Sequence, residues 1–354
     1  MNRIDIDNLK KLNSPILITG HTGFKGTWLS LLLEKFGINS VGYSLEPTSD
    51  SLFERMSRSN KIDEEFSDIR NKLKLQSFIH KHRPSVIFHL AAQPLVLDSY
   101  KIPAETFEVN VQGTVNLLEA AFTCDSVKVV SIVTTDKVYR NDNSGKKFRE
   151  TDPLEGKDPY SASKVGAESA ATAWRQLSKL SDGPSVLSLR AGNVIGGGDE
   201  SINRLLPDLM KSFSQEKRAK VRNPKSVRPW QHALDPLFGY VKATNYALNN
   251  GIENIFNFGP NSDGLSVRYV SEIAEKEWGN TPGIEYGIGD SPNEQESELL
   301  NLENNRAKKS LNWNPRWDQE EAVIRTVKWW KNVLFTKIDP YEACMSDISD
   351  FLDY

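Results

Sequence analysis

The chain has 354 residues, of which 38% are hydrophobic and 26% are charged, and its net charge is −3 at pH 7. This composition predicts a folded protein of one large domain or two linked ones, and it offers no basic excess for nucleic acid or acidic membranes. There is no apolar run near the roughly 18 residues of a membrane span, no signal-peptide pattern, and no metal-ligand spacing among the histidines, and two cysteines fit a reduced compartment, so the sequence favours a cytoplasmic protein without a metal site.

Short apolar runs alternate with stretches of helical periodicity in the first half of the chain. The runs that predict strands are 15–19, 40–44, 85–90, 127–135 and 186–191, and the stretches that predict helices are 27–36, 73–82, 107–122 and 161–177. Strands that alternate with helices favour right-handed βαβ units, and thus an α/β fold with a parallel sheet. Because the strands are apolar throughout, we expect helices on both faces of that sheet.

In the second half of the chain, apolar runs and helical patterns alternate less regularly, which predicts a smaller mixed α/β lobe over residues 193–340. Helical patterns occupy 205–213, 235–249, 267–278 and 319–335, and a short strand is expected at 255–258. We expect segments near 233–260 to return to the first domain, 12–192, because no flexible linker separates the two. The acidic tail, 341–354, is expected to be loosely ordered.

A glycine-rich turn follows the first predicted strand and precedes an amphipathic helix. Its glycines are Gly20, Gly23 and Gly26. Glycines in this order allow a tight turn, close approach of a pyrophosphate to the backbone, and tight packing of helix against strand. The free N–H groups at the start of the helix favour the phosphate charge. The turn therefore predicts a dinucleotide site, with a purely structural turn as the alternative.

The end of the second predicted strand leaves the type of dinucleotide open. An acid at this point would bind the adenosine ribose, but Ser44 stands where that acid is expected, and Glu46 lies two residues further on. Lys25 adds positive charge close by. The sequence is thus compatible with NAD or NADP. Asp68 and Ile69 follow a further polar stretch and are candidates for contact with the adenine edge, although a solvated Asp in a loop is the alternative.

Tyr160 and Lys164 lie four residues apart, at the start of the helix predicted for 161–177. This spacing places both side chains on one face of the helix. An ammonium beside a phenol favours the phenolate, which is a base for a sugar hydroxyl. An ordinary amphipathic helix is the alternative, because the pair is common at this spacing. The glycine turn elsewhere in the chain favours the catalytic interpretation.

Together these motifs resemble the extended short-chain dehydrogenase/reductase family over nearly the whole chain. The resemblance rests on 20–26, Asp68-Ile69, 89–92, Asn110 and the Tyr160…Lys164 pair. It implies a Rossmann-type NAD(P) domain and a C-terminal lobe for a nucleotide-sugar. It also implies the cofactor-binding residues Gly20, Thr22, Gly23, Phe24, Lys25, Gly26, Ser44, Asp68, Ile69, Leu90, Ala91, Ala92, Gln93, Asn110, Tyr160 and Lys164.

The stretch 134–139, TTDKVY, follows the predicted strand 127–135 and indicates the kind of reaction. Within the family, the hydroxyl of Thr135 corresponds to the one that lies near the sugar oxygen. Epimerases tend to follow it with small residues, whereas nucleotide-sugar 4,6-dehydratases place an acid and a base there. The resemblance implies that Asp136 is the acid for the hydroxyl leaving carbon 6 and Lys137 the base at carbon 5. A lysine amine acts as a base once it is neutral, and desolvation together with a positive nicotinamide favours that form.

The Asp136-Lys137 pair resembles the branch of these dehydratases that acts on CDP-glucose and makes a CDP-4-keto-6-deoxysugar for deoxysugar synthesis. Longer strings share the resemblance at 21–26, 91–96, 190–198, 228–232 and 314–317. Departures from the branch occur at Val138 and Arg140, and at Glu298-Leu299. These departures leave the nucleotide and the hexose open. A dehydratase or 4-epimerase on another nucleotide-sugar, and a non-catalytic nucleotide-sugar or NAD-binding regulator, remain as alternatives.

A diphosphate requires forked hydrogen bonds from arginines, which makes Arg204, Arg222 and Arg228 candidates in the second lobe. The resemblance adds Gln93, Thr135, Asn193, Leu205 and His232 to the residues expected to bind substrate. It also implies a homodimer, or a dimer of dimers, in which the helices at 107–122 and 160–177 form a four-helix bundle.

Overall fold

The structure is a computed structural model that describes residues 6–59, 61–287 and 300–353. Its strands are β1 (Ile16–Thr19), β2 (Ser40–Ser44), β3 (Asp63–Phe66), β4 (Val86–His89), β5 (Val129–Thr135), β6 (Lys147–Phe148), β7 (Ser185–Ala191), β8 (Asn193–Ile195), β9 (Ala219–Val221), β10 (Val227–Arg228), β11 (Trp230–His232), β12 (Ile255–Phe258), β13 (Leu265–Ser266), β14 (Ile284–Tyr286) and β15 (Asn301–Leu302).

The helices are α1 (Asp7–Lys10), α2 (Phe24–Lys35), α3 (Leu52–Arg55), α4 (Lys72–His82), α5 (Val96–Lys101), α6 (Pro103–Phe107), α7 (Gly113–Phe122), α8 (Pro159–Ser181), α9 (Leu205–Ser214), α10 (Leu234–Leu248), α11 (Val267–Trp278), α12 (Asn305–Leu311), α13 (Gln319–Leu334) and α14 (Pro340–Asp353). A π-helical segment, Glu108–Gln112, joins α6 to α7, and a short 3₁₀ turn, Asp136–Val138, follows β5.

Seven strands form one parallel sheet in the order β12-β7-β5-β4-β1-β2-β3. This confirms the predicted parallel α/β fold, because the strand order reverses between β1 and β4 as in a doubly wound Rossmann sheet. Ligands of such sheets bind beyond the carboxyl ends of the strands at the reversal. The glycine turn after β1 and the segment after β4 both lie at that point.

Helices cover both faces of the sheet, as the apolar strands predict. One face carries a cluster of buried side chains that includes Leu17, Ile87 and Leu117, with partners from α4, α7 and α8. The other face carries a larger cluster that runs from β1 through α2 and α10 to the tryptophans of the C-terminal half. The site is therefore supported by packed helices on both sides.

The second half of the chain adds small sheets at one end of the main sheet. β11 pairs in parallel with β8, β14 pairs with β9, and β13 runs antiparallel to β10. The strand predicted at 255–258 is β12, which pairs with β7 at the edge of the main sheet. In the ranges that the structure describes, no helix is both long and apolar enough to cross a membrane.

The expectation of a loosely ordered tail is wrong for residues 340–353. These residues form α14, whose side chains Cys344, Ile348 and Phe351 are buried. The helix contacts α2 through Tyr341, whose hydroxyl donates a hydrogen bond of 2.7 Å to Glu34. Burial of apolar side chains at helical spacing explains the order, which the acidic composition of the tail did not indicate.

Candidate active site

The turn after β1 has the close contacts that require glycine. Gly20 has φ +75°, and a Cβ on it would lie 2.7 Å from the amide nitrogen of Ala91, just after β4. A Cβ on Gly26 would lie 2.1 Å from the carbonyl oxygen of Gly20. Gly23 then caps the start of α2, a 12-residue helix that points its first N–H groups outward from the turn. The turn thus forms a cradle for an anion at a helix N-terminus.

The end of β2 presents hydroxyl groups beside this cradle. Ser44 and Thr22 share a hydrogen bond of 2.7 Å between their side-chain oxygens, and Thr22 also donates to the carbonyl of Leu45. A carboxylate is close, but Glu64 of β3 reaches across the sheet edge to His21, with 2.9 Å between Oε2 and Nε2. Ser44 therefore lies beside the glycine turn, and its contact with the adenosine ribose stays a prediction.

Asp68 and Ile69 occupy the neighbouring loop. The Asp68 carboxylate accepts forked hydrogen bonds from Arg70, at 3.0 Å from Nε and 2.7 Å from Nη2. These bonds lower the pKa of Asp68 below its ordinary value, despite partial burial. Ile69 is buried against the face of Gly113, where a Cβ would come within 2.6 Å of it. The pair thus borders the predicted adenine end, with its carboxylate already in an ion pair.

The π-helical segment places Asn110 between the loop after β4 and α8. Its side chain accepts from the amide of Gln93 at 2.8 Å and donates to the Ser163 hydroxyl at 2.8 Å. Leu90, Ala91 and Ala92 precede this contact at the carboxyl end of β4. Asn110 therefore ties the predicted cofactor loop to the helix that carries the Tyr160–Lys164 pair.

Helix α8 begins with a complete capping arrangement. Asp158 and Ser161 exchange hydrogen bonds, and Pro159 occupies the first turn, where its missing N–H is not needed. This fixed start orients Tyr160, which faces the cavity described below. Burial raises the pKa of Tyr160 to about 12, while a hydrogen bond with Thr135 and the charge of Arg204 lower it.

Lys164 lies one turn further along α8, is buried, and donates to the carbonyl of Val133 at 3.3 Å. Burial, together with the charge of Lys25, lowers its pKa to about 7, while the charge of Glu168 opposes the shift. Burial likewise lowers the pKa of Lys25 to about 8, with Arg204 adding to the effect and Asp136 opposing it. Two lysines that repel each other around the glycine turn indicate a place for a bound anion.

The TTDKVY segment closes the carboxyl end of β5, beside α8. Thr135 donates a hydrogen bond to Oδ1 of Asp136 at 3.0 Å and accepts one from the amide of Lys137 at 3.3 Å. Asp136 is 1% exposed, and its Oδ2 has no hydrogen-bond partner among the described residues. Lys137 is half-buried on the cavity wall. The strand end therefore brings a hydroxyl, a carboxyl group and an amine to one place.

A cavity of about 330 Å³ connects this strand end to the second half of the chain. Of the predicted site residues, its wall includes Phe24, Lys25, Thr135, Lys137, Tyr160, Asn193, Arg204, Leu205, Arg222 and Arg228. Arg204 pairs with Asp199, with 3.1 Å between Nη1 and Oδ2. The cavity is thus lined by Thr135, Lys137 and Tyr160 at one end and by arginines along its length, whereas the predicted catalytic residues Asp136 and Lys164 lie behind its wall.

Two residues expected to bind substrate lie outside the cavity wall. The side-chain amide of Gln93 donates to the carbonyl of Leu95 at 3.1 Å and to the hydroxyl of Thr106 at 3.1 Å, so it braces its own loop. The ring of His232 is buried edge-to-face against Trp28 and Trp317. Burial lowers its pKa to about 3, which keeps it a neutral core residue. Neither side chain lines the cavity, and their expected contact with substrate stays a prediction.

Sequence reasoning missed several groups around the site. Asp199 orients Arg204, and Asp208 lies on the cavity wall near Arg222, whose charge opposes the rise that burial causes in the Asp208 pKa. Because many residues in this part of the sequence are charged, nothing in the sequence distinguished these two aspartates as residues of the site. The departures noted at 298 and 299 lie outside the described residues, whereas Val138 is fully buried.

Comparisons with known proteins agree with this architecture. A family model described as GDP-mannose 4,6 dehydratase matches residues 17–326. The CDP-glucose 4,6-dehydratase of Salmonella typhimurium is 40% identical over 325 residues, which cover 89% of this chain and 90% of that protein.

Among solved structures, the dTDP-glucose 4,6-dehydratase of Bacillus anthracis in complex with NAD has a TM-score of 0.74 at 24% identity, covering 90% of this chain and 97% of that one. The UDP-glucose 4-epimerase of Thermotoga maritima with UDP-glucose has a TM-score of 0.75 at 21% identity, covering 90% and 99% of the two chains. Both structures share the fold of this chain.

Proposed function

The chain belongs to the GDP-mannose 4,6-dehydratase family, and from that premise we propose that it is an NAD-dependent lyase that converts CDP-glucose to CDP-4-keto-6-deoxyglucose. One observation carries the proposal. Asp136 and Lys137 stand together at the strand end, beside Thr135 and across from Tyr160. A 4-epimerase only moves a hydride and has no use for an added acid and base, whereas elimination needs both.

The glycine turn fits the pyrophosphate of NAD. The contacts of Gly20 and Gly26 leave room for backbone only, so the phosphates would lie against the N–H groups at the start of α2. Thr22 and Ser44 would face the adenosine ribose, and Asn110 and Lys164 the nicotinamide end. When bound, NAD supplies the hydride acceptor for carbon 4 and returns the hydride to carbon 6. The NAD complex of the related dTDP-glucose dehydratase supports this choice of cofactor.

Tyr160 would take the proton from the hydroxyl on carbon 4, with Thr135 holding the same sugar oxygen. The charge of Arg204 favours the phenolate, against the effect of burial. The positive charges of Lys164 and the nicotinamide ring would add to theirs. Oxidation makes a ketone at carbon 4, which acidifies the neighbouring carbon 5.

Lys137 would remove the proton from carbon 5, and Asp136 would protonate the hydroxyl that leaves carbon 6. The two residues follow each other in the 3₁₀ turn Asp136–Val138, so they reach adjacent atoms of one substrate. The unpartnered Oδ2 of buried Asp136 suits a carboxyl group that gives a proton to a substrate oxygen. Water then departs across carbons 5 and 6.

Arginines along the cavity would bind the substrate diphosphate. Arg204, Arg222 and Arg228 all line the wall, and the backbone near Asn193 borders the same space. The choice of CDP-glucose rests on the relative that is 40% identical, and on the Asp-Lys pair that replaces a more common Asp-Glu.

We also propose that the enzyme is a cytoplasmic homodimer, or a dimer of dimers, that packs through the helices around α7 and α8. Exposed apolar side chains on and near these helices include Phe107, Leu177 and Leu180. Light scattering coupled to size exclusion would give the mass, and a monomer at micromolar concentration would contradict this assembly.

Incubation with a panel of nucleoside diphosphate hexoses tests the function. We expect CDP-glucose to give a 4-keto product, seen by its ultraviolet absorbance in alkali, with NAD unchanged overall. Turnover of a GDP- or UDP-hexose without turnover of CDP-glucose would contradict the substrate, and epimerised product would contradict the reaction. The Tyr160→Phe variant serves as the inactive control.

A further inference from the structure

A buried ion pair lies directly beneath the TTDKVY segment. Glu168 of α8 and Arg190 of β7 are each 2% exposed, and they meet at 2.8 Å between Nε and Oε1 and 3.0 Å between Nη2 and Oε2. Neither residue lines the cavity. The proposed reaction assigns no role to either of them.

The pair holds the first residue of the segment. Thr134 donates its hydroxyl hydrogen to Oε1 of Glu168 at 2.7 Å, and both groups are buried. Glu168 lies one helical turn beyond Lys164, so the two side chains share one face of α8. Burial raises the pKa of Glu168, but the charge and hydrogen bonds of Arg190, together with the Thr134 bond, outweigh it and leave that pKa lowered.

The pair also holds the last residue of the segment. Nη1 of Arg190 donates to the Tyr139 hydroxyl at 2.8 Å, and that hydroxyl donates in turn to Oδ1 of Asn257 at 2.7 Å. The Tyr139 ring stacks on Phe148 with 5.1 Å between ring centroids and 8° between planes. Residues 134 and 139 are therefore attached to one ion pair, and the four residues between them include the acid and the base.

The sheet itself does not fix the acid and the base. The ladder between β5 and β7 ends at Thr135, which pairs with Ala191, and the chain then leaves the sheet as the turn Asp136–Val138. Thr135 is thus held by strand pairing, while the position of the turn depends on what anchors its far end. The backbone at that end is held by hydrogen bonds from Glu155 N–H to the Val138 carbonyl at 2.8 Å and from Arg140 N–H to the Pro153 carbonyl at 2.9 Å. Its side-chain anchor is Tyr139, through Arg190.

A buried ion pair is a poor source of net stability, because the loss of hydration offsets most of the attraction. Its value lies in fixing geometry, since breaking one partner leaves an uncompensated charge in the core. Here the geometry that it fixes is that of a strand end and the turn that follows.

We propose that the Glu168–Arg190 pair is a positioning device for elimination, which clamps the turn that carries Asp136 and Lys137 between Thr134 and Tyr139. This inference rests on the proposed function. Hydride transfer relies on Tyr160 and Thr135, whose backbones are held by α8 and by the sheet ladder. Loosening the clamp therefore slows proton removal at carbon 5 and loss of water more than it slows oxidation at carbon 4.

Tyr139→Phe is the principal test, because it keeps the stacked ring and removes one hydroxyl without leaving a buried charge. The substitution removes two hydrogen bonds, one accepted from Arg190 and one donated to Asn257. With CDP-glucose we expect a kcat lower by about 3- to 10-fold and a KM nearly unchanged. The enzyme-bound cofactor should become more reduced at steady state, seen at 340 nm. Exchange of the carbon 5 hydrogen with deuterated solvent should slow in parallel.

Glu168→Gln should lower kcat and raise the reduced fraction of the cofactor more strongly than Tyr139→Phe does. If Glu168→Gln does not fold, the test rests on Tyr139→Phe alone. Ser131→Ala is the matched control. It removes a buried hydroxyl that hydrogen-bonds Thr244 at 2.8 Å on the same strand β5, away from the clamp. We expect it to lower the melting temperature without raising the reduced fraction.

Two results would overturn the inference while the proposed function stands. Equal slowing of oxidation and elimination in Tyr139→Phe, with no rise in reduced cofactor, would show that the clamp has only a structural role. The same rise in Ser131→Ala would show that any loss of stability produces it. A wild-type protein that makes no 4-keto-6-deoxy product would overturn the proposed function, and the clamp's role in elimination with it.

Discussion

The Thr135 hydroxyl donates to Oδ1 of Asp136 at 3.0 Å, and it leaves Oδ2 of the same carboxyl group buried without a described partner. A Cβ on Gly192 would lie only 2.9 Å from that Oδ2, so a glycine opposite the carboxyl group is required by space. Asp136 itself does not line the cavity, whereas its neighbours Thr135 and Lys137 and the facing Gly192 do. Because buried polar atoms are nearly always hydrogen-bonded, we expect this oxygen to find its partner when a substrate occupies the cavity.

Asp136→Asn should therefore block elimination and spare oxidation. The amide keeps the size of the carboxyl group and its bond to Thr135, but it has no acidic proton to give to the leaving hydroxyl. We expect product formation to fall by about 10²- to 10⁴-fold, as for loss of a general acid. Rapid mixing with CDP-glucose should still show formation of reduced cofactor. Full product turnover by this variant would assign the acid to another group.

Lys137→Ala should abolish exchange of the carbon 5 hydrogen with solvent while NAD binding persists. Lys137 is the one basic residue of the three-residue 3₁₀ turn Asp136–Val138. Mass spectrometry of the sugar recovered from deuterated buffer measures the exchange. Lys147→Ala, which removes an exposed lysine paired with Asp263, is the matched control. Exchange that survives in Lys137→Ala places the base elsewhere.

Tyr160→Phe should stop hydride transfer but not the binding of CDP-glucose. Burial raises the pKa of Tyr160 to about 12, so the phenolate is scarce at neutral pH and the rate of oxidation should increase as pH rises. Because the charge of Arg204 lowers that pKa, Arg204→Met should shift the rising limb to higher pH. Stopped-flow absorbance at 340 nm gives the rate, and calorimetry gives the binding. A flat pH profile would contradict the assignment.

Asp235 at the start of α10 should make the free energy of unfolding fall as pH rises. Burial raises its pKa from 3.8 to about 7, although backbone N–H groups of Arg316 and Trp317 oppose the shift. The folded state then binds more protons between these values, so stability is highest below pH 4 for this group and is lost on the way to pH 7. The contribution is at most about 4 kcal/mol.

Asp235→Asn removes this titration and should flatten the pH dependence. Urea unfolding of the unliganded protein near pH 5 and near pH 8 measures the difference. Asp347 of α14 has its pKa raised to about 7 in the same way, so some dependence should remain. Parallel curves for the variant and the wild type would rule out Asp235 as a source.

The main sheet was predictable because its strands are apolar on both faces and its helices have clear periodicity. The edge strand β3 was not, since Asp63–Phe66 reads DEEF and is held by pairing with β2. The helix α14 had an available signal, in that Cys344, Ile348 and Phe351 recur at helical spacing. The acidic residues between them obscured it.

The chemistry of the site was predictable where neighbouring residues in the chain carry it, as in 134–137. Side-chain direction was not, so Gln93 and His232 were expected at the substrate and lie elsewhere. The Glu168–Arg190 pair could not be predicted, because each residue taken alone resembles an ordinary surface charge. Its meaning depends on β5, β7 and α8 meeting at one point.

The π-helical segment Glu108–Gln112 has a consequence for how this chain tolerates changes in length. An α-helix turns about 100° per residue, and a π-helical segment accommodates an extra residue within an otherwise α-helical rod. A one-residue deletion within 108–112 would allow α6, the π-helical segment and α7 to form one continuous α-helix. It would also swing Asn110 away from Gln93 and Ser163, although no side chain at the site had been substituted. The π-helical segment thus sets the rotation of α6 relative to α7 about their common axis.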